Sequence, residues 1–180
     1  MPGEGRAVRL LRGLLLAGAL LWALAPELRR YRGERLLRPA TDALRYLVTH
    51  PGEVSDSVGA LGRIEQIALS AASGLPGDSR PWTLAGSSRL AAGNPDRALD
   101  FYRTAFGLGE RAEIDLNIGR ALESRGEPEK AMAAYLRAVW IAPALFPALL
   151  PDVQAPLHAE YSRLLVELRS GRLRAHPAPP

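Results

Sequence analysis

The chain has 180 residues, of which 47% are hydrophobic and 23% charged, as suits a globular helical protein with an appendage. Its basic charge comes almost wholly from arginine scattered among nearly as many carboxylates, so the net charge of +4, largely explained by the amino-terminal region, does not read as a nucleic-acid footprint. Cysteine is absent, which excludes disulfides and cysteine-based metal sites.

The amino terminus has the layout of a secretory signal. Arg6, Arg9 and Arg12 precede an uncharged apolar run over residues 13–25. Ala23 and Ala25 offer small residues for cleavage, but Pro26 would follow the cut directly, which favours retention as an uncleaved anchor; the alternative is a cleaved signal. Residues 8–28 give 21 positions, enough to span a bilayer if Arg9 and Arg12 snorkel to the headgroups. Two signals oppose each other on orientation. Five arginines follow the run (Arg29, Arg30, Arg32, Arg35, Arg38) against three before it, which favours a cytoplasmic far side, whereas the signal-like layout places the rest of the chain outside. The expectation taken forward is a single-pass inner-membrane protein with its helical domain in the periplasm, residues 8–28 being its contact with lipid.

A basic segment and a short helix are expected over residues 29–52, the helix running over 41–49 with Thr41 as N-cap and His50–Pro51 as its stop. Residues 58–72 carry Leu61, Ile64, Ile67, Ala68 and Ala71 in helical register. Two stretches then repeat one pattern: GNPDRALDFYRTAF from Gly93 and GEPEKAMAAYLRAV from Gly126. Gly93 and Gly126, Pro95 and Pro128, Ala98 and Ala131, Tyr102 and Tyr135, and Ala105 and Ala138 are all separated by 33 positions, as are Gly86 and Gly119 upstream. The glycines suit a close helix–helix approach, the alanines keep the opposing helix thin, and the tyrosines fill the space between. Asn94 before Pro95 reads as an N-cap followed by a first-turn proline, and Glu127 before Pro128 repeats this more weakly. Downstream, Asp152 and Pro156 introduce a helix through Arg169 with Leu157, Tyr161, Leu164, Leu165 and Leu168 on one stripe. Residues 171–180 are expected to be a disordered tail.

Residues 79–145 resemble the tetratricopeptide repeat (TPR), a helix-turn-helix unit of about 34 residues. The second copy, with Gly119, Leu122, Gly126, Ala131, Tyr135, Ala138 and Pro143, is the closer match; the first departs at Arg89, where the family prefers a large apolar side chain, and at Glu110, where the closing proline belongs. The resemblance implies an all-α fold: a short solenoid of helical hairpins over residues 53–170, closed by a capping helix and preceded by the anchor over residues 1–28. It also implies protein–protein contact through a groove lined by the first helix of each hairpin. In this chain those positions are Arg80, Thr83, Ser87, Leu90, Glu113, Leu116, Asn117, Arg120 and Glu123. Asn117 matches the asparagine of carboxylate-clamp members, but the cationic partners of such a clamp are missing, since Thr83 and Ser87 stand in their places.

Signals for chemistry are weak. His50, His158 and His176 have no metal-ligand neighbours at helical spacing, and Gly107 with Gly109 is a turn without the strand and lysine of a phosphate loop. Ser87 and Ser88 have no histidine partner in the sequence pattern, and Trp82, Trp140 and Phe146 suit a core better than a ligand platform. The expected function is therefore non-catalytic, without cofactor, metal or nucleic acid: an anchored scaffold holding another protein in a bacterial cell-envelope assembly. The competing expectation is a small accessory subunit of an integral membrane complex, contacting it through the apolar helix and the arginine-rich flank.

Overall fold

In the computed structural model, residues 4–172 are described, with side chains from residue 11 onward; the expected tail beyond 172, His176 and the side chains of Arg6 and Arg9 lie outside them. The described chain is all-α. Seven α-helices follow in order: α1 (Glu4–Thr49), α2 (Ser57–Gly74), α3 (Arg80–Ala91), α4 (Pro95–Leu108), α5 (Ala112–Ser124), α6 (Pro128–Ile141) and α7 (Pro151–Arg169), with a 3-10 turn over Pro143–Ala148. Each helix packs on the next, and α1, α3 and α5 also touch one another in sequence, forming an inner row.

The first helix departs from expectation. Residues 41–49 are no separate element, because α1 runs unbroken through Pro26 and Pro39 for 46 residues. Thr41 caps nothing; its hydroxyl donates to the Leu37 carbonyl, 2.9 Å away. An internal proline costs a helix about 3 kcal/mol. Gly33, Leu37, Ala40, Leu44 and Leu47 offset that cost, recurring at spacings of four and three on the face turned to α2 and α3. Pro39 lies on the exposed side of the same helix. The basic segment and the short helix expected over residues 29–52, the latter as the packing partner of residues 58–72, are thus one continuous helix, packed against α2 and α3 from Gly33 onward. Ahead of it, α1 is long and apolar enough to cross a membrane, and its apolar window has no buried residue.

Helix α2 begins where Asp56 accepts a hydrogen bond from the Gly59 backbone N–H at 2.9 Å. The repeated stretches fold alike. Asn94 caps α4 by accepting from the Arg97 N–H at 3.2 Å, while Glu127 makes no such bond to α6. Before each of these helices the chain turns through a glycine in the left-handed region, Gly93 at φ +74° and Gly126 at φ +77°. The same backbone bonds close both turns: Asn94 N–H to Arg89 O and Gly93 N–H to Leu90 O, then Glu127 N–H to Leu122 O and Gly126 N–H to Glu123 O. The close approaches also recur. A Cβ on Gly86 would lie 2.5 Å from Tyr102 Cε1, and one on Gly119 would lie 2.4 Å from Tyr135 Cε1.

Two buried carboxylates depart from a purely apolar core. Glu65 on α2 is fully buried and ion-paired by Arg89 of α3 and by Arg97 of α4, whose Nε lies 3.0 Å from it. This accounts for Arg89 standing where an apolar residue is expected. Burial would push the Glu65 carboxyl up, but hydrogen bonds from Arg89 and Arg97 outweigh it and hold the group below its ordinary range. Asp115 on α5 is equally buried, and neither oxygen has a hydrogen-bond partner among the described residues. Desolvation first, and the neighbouring Glu110 second, push its carboxyl up to about 7.

Helix α7 covers the open side of α6 with Val153, Leu157 and Leu164, and Tyr161 packs edge-on against Trp140 and Phe146 at 5.8 and 5.4 Å. Leu168, expected on the packed stripe, is instead half exposed at 49%, because α7 contacts the rest of the domain mainly through its earlier turns.

Candidate binding groove

The inner row of helices encloses a groove of about 670 Å³. Its floor is made by Leu37 and Leu44 of α1, Leu84 of α3 and Ile114 of α5, all of them buried core residues. The rim is polar and of mixed sign, with Arg38, Asp42 and Arg45 on α1 facing Arg80, Thr83 and Ser87 on α3 and Glu113 on α5.

Local chemistry fixes much of this rim. Arg80, the first residue of α3, donates to Glu34 of α1 and to Asp78 of the preceding turn, at 2.5 Å in each case. Asp78, then Glu34, holds the guanidinium in its charged form, and Arg80 in return keeps the Asp78 carboxyl low. The cluster therefore ties α3 to α1 at one end of the groove. Thr83 donates to the Ser79 carbonyl at 3.0 Å, and Ser87 sits 3.1 Å from the Tyr102 hydroxyl. Burial pushes that phenol up to about 12, so Tyr102 stays protonated at any physiological pH. Arg38 and Glu113 make no ion pair among the described residues, which leaves opposite charges on facing walls for a partner to meet.

Of the nine residues expected to line a groove, four do so together: Arg80, Thr83, Ser87 and Glu113. The others are placed elsewhere. Leu116 is 5% exposed and belongs to the core, because the face of α5 that bears it is covered by its neighbours. Leu90 is partly buried against the same core. Asn117 accepts from Arg120, whose other terminal nitrogen donates to the Ala148 carbonyl at 3.1 Å, so this pair tethers the 3-10 turn to α5. Glu123 accepts from the Tyr135 hydroxyl at 2.6 Å and steadies the ring that Gly119 faces. These three side chains are bonded within the domain, although Arg120 is exposed and Asn117 and Glu123 are partly so.

What sequence reasoning missed is the α1 wall, which supplies seven lining residues from Glu34 to Arg45. The signal was present in the stripe from Gly33 to Leu47. Reading Thr41 as an N-cap divides it.

Among the described residues no three potential ligands gather where they could hold a metal ion, and the two buried carboxylates lie outside the groove lining. The groove has an apolar floor and polar walls of mixed charge. No protein-family model matches the chain, and no curated protein matches it.

Proposed function

We propose that this protein is a non-catalytic, membrane-anchored scaffold of TPR type, which holds a segment of another protein in the groove formed by α1, α3 and α5. The carrying observation is that a single helix supplies both an exposed apolar stretch and one wall of a groove. Support for the repeat type comes from the paired glycine turns and the paired glycine–tyrosine contacts, each recurring after 33 positions. In this reading the apolar half of α1 anchors the chain in a bacterial inner membrane, with the helical domain on the periplasmic side. The mixed-sign rim suits a peptide segment that is itself partly apolar and carries both charges. A lone carboxylate clamp does not fit, because Arg80 is already engaged by Glu34 and Asp78.

The test is capture of the native partner from detergent-solubilised membranes. Replacing Arg38 and Glu113 with alanine is expected to leave stability within about 0.5 kcal/mol per site, since both are exposed. Capture should weaken about tenfold. The same change at Glu129 and Lys130, on the exposed side of α6, should affect neither property. Loss of capture only in the α6 pair would move the binding surface to the outer row. A stable stoichiometric complex that survives both pairs of changes would instead favour a subunit role through the apolar helix and the arginine-rich flank.

A further inference from the structure

The expected span ends at Leu28, and the packed part of the chain starts almost at once. Gly74, the last residue of α2, is so close to α1 that a Cβ on it would lie 2.5 Å from the Arg29 carbonyl oxygen, and Gly33 packs one turn later against Leu75. At 1.5 Å per residue, these contacts lie between about 1.5 and 7.5 Å beyond Leu28 along the helix. The headgroup layer on each side of a bilayer is about 5 to 7 Å thick. The α2–α3 turn therefore falls at headgroup level if α1 spans. The α4–α5 turn reaches the same level, because Leu108 and Arg111 line one cleft of about 830 Å³ together with Pro26 and Arg30.

The cleft lining carries three arginines and three carboxylates, but the pairing among them is uneven. Arg80 is held by both Asp78 and Glu34, whereas Arg30 and Arg111 make no ion pair among the described residues, Arg111 acting on Asp78 only at longer range. Glu27 is the one remaining carboxylate of the cleft lining, and the adjoining turns of α1 add Arg29, Arg32 and Arg35. Leu108, 42% exposed, stands beside these cations. Arginines flanking an exposed leucine suit the boundary between phosphate and acyl chain.

We propose that this cleft docks the phosphate groups of anionic phospholipid in the leaflet that α1 enters, with Arg30 and Arg111 as the contacting cations. The α2–α3 and α4–α5 turns then rest on the bilayer, and the groove, which shares Glu34, Ser79, Arg80 and Arg111 with the cleft, opens at the membrane surface and runs away from it along α1. The proposal rests on the reading of α1 as a membrane-spanning anchor.

The absence of cysteine makes the full chain suitable for single-site labelling. A fluorophore on Leu108→Cys, in vesicles of phosphatidylcholine and phosphatidylglycerol, should be quenched strongly by a nitroxide on the lipid headgroup. One on Ser55→Cys, beyond the far end of α1, should not. A third on Leu20→Cys should be quenched by a nitroxide in the acyl chain. In mild detergent, adding phosphatidylglycerol should shift the Leu108 probe's emission, and Arg30→Gln with Arg111→Gln should raise the half-effect concentration about thirtyfold. Phosphatidylcholine should give no such shift. Equal quenching at Leu108 and Ser55 with Leu20 still quenched would overturn the docking while leaving the anchor intact. An unquenched Leu20 would remove the anchor and the docking with it. An unchanged half-effect concentration in the arginine variant, with helix content preserved, would overturn the phosphate contact.

Discussion

The contact of Gly119 with Tyr135 can be tested by making one substitution at two glycines and asking for opposite signs. Gly119 and Gly62 both lie inside helices, α5 and α2, so alanine should improve helix formation at either by about 0.5 to 1 kcal/mol. At Gly62 nothing lies within 4 Å of the new methyl, and the gain should appear as increased stability. At Gly119 the methyl would meet Tyr135 Cε1 at 2.4 Å and Cδ1 at 2.5 Å, about 1 Å inside ordinary carbon–carbon contact. The ring cannot swing aside, since it is 3% exposed and its hydroxyl is held by Glu123. The two helices must therefore separate, at the upper end of the 1 to 3 kcal/mol typical of overpacking, about 3 kcal/mol. Net of the helical gain, a loss of about 2 kcal/mol should lower the melting temperature by about 4 to 8 °C. Thermal unfolding of the full chain in mild detergent, followed by circular dichroism, reads both signs. A Tyr135→Leu background should remove the penalty and make Gly119→Ala neutral or stabilising, a coupling that a double-mutant cycle isolates. If Gly119→Ala and Gly62→Ala shift the melting temperature in the same direction, the tight crossing does not exist.

The remaining expectations concern the charged groups and the anchor. Because the Asp115 carboxyl is raised from 3.8 to about 7, the folded state holds its proton more tightly than the unfolded state; stability should fall as pH rises through that window, by at most about 4 kcal/mol, and level off above it. Asp115→Asn should flatten this dependence and be the more stable protein at pH 8, and a denaturant series that leaves the slope unchanged would refute the assignment. For Glu65 the sign is opposite: its lowered carboxyl contributes stability above the ordinary glutamate range that is lost as pH falls through its folded value. Glu65→Ala, which leaves Arg89 and Arg97 without their shared partner, should cost about 3 to 5 kcal/mol by chemical denaturation. The mature protein should retain Trp22 and stay with membranes through a high-salt wash; a soluble product beginning at Pro26 would show that the segment is a cleaved signal.

Much of the helical order was legible because it is local. The turns at Gly93 and Gly126 and the Asn94 cap are each decided by a few neighbouring residues, and their recurrence at a fixed spacing marked them as one device used twice. Gly86 and Gly119 were readable for the same reason. A glycine inside a helix needs an explanation, and a tyrosine 16 positions later, Tyr102 or Tyr135, supplies it. Arg89 could not be read in this way. Its partner Glu65 is 24 positions away on another helix, and no periodicity announces a single buried ion pair.

The groove was harder to read than the fold because its residues must be left over from packing, and sequence spacing shows only that side chains share a face. Asn117, Arg120 and Glu123 do share one, but Arg120 reaches the carbonyl of Ala148, 28 positions on, and Glu123 reaches Tyr135. Neither bond follows from helical periodicity. On α1 the error ran the other way. Thr41 carries the weight of a boundary in the sequence, yet even the proline two positions before it, on the exposed side of the helix, does not break α1, because five positions on the buried side bring a whole helix into the core. That balance also bears on function. An interrupted α1 would leave the helical domain on a flexible tether, free to take any height above a bilayer. An unbroken one fixes the orientation of α3 and α5 relative to the apolar segment, so a partner in the groove would be presented at a set distance from the membrane.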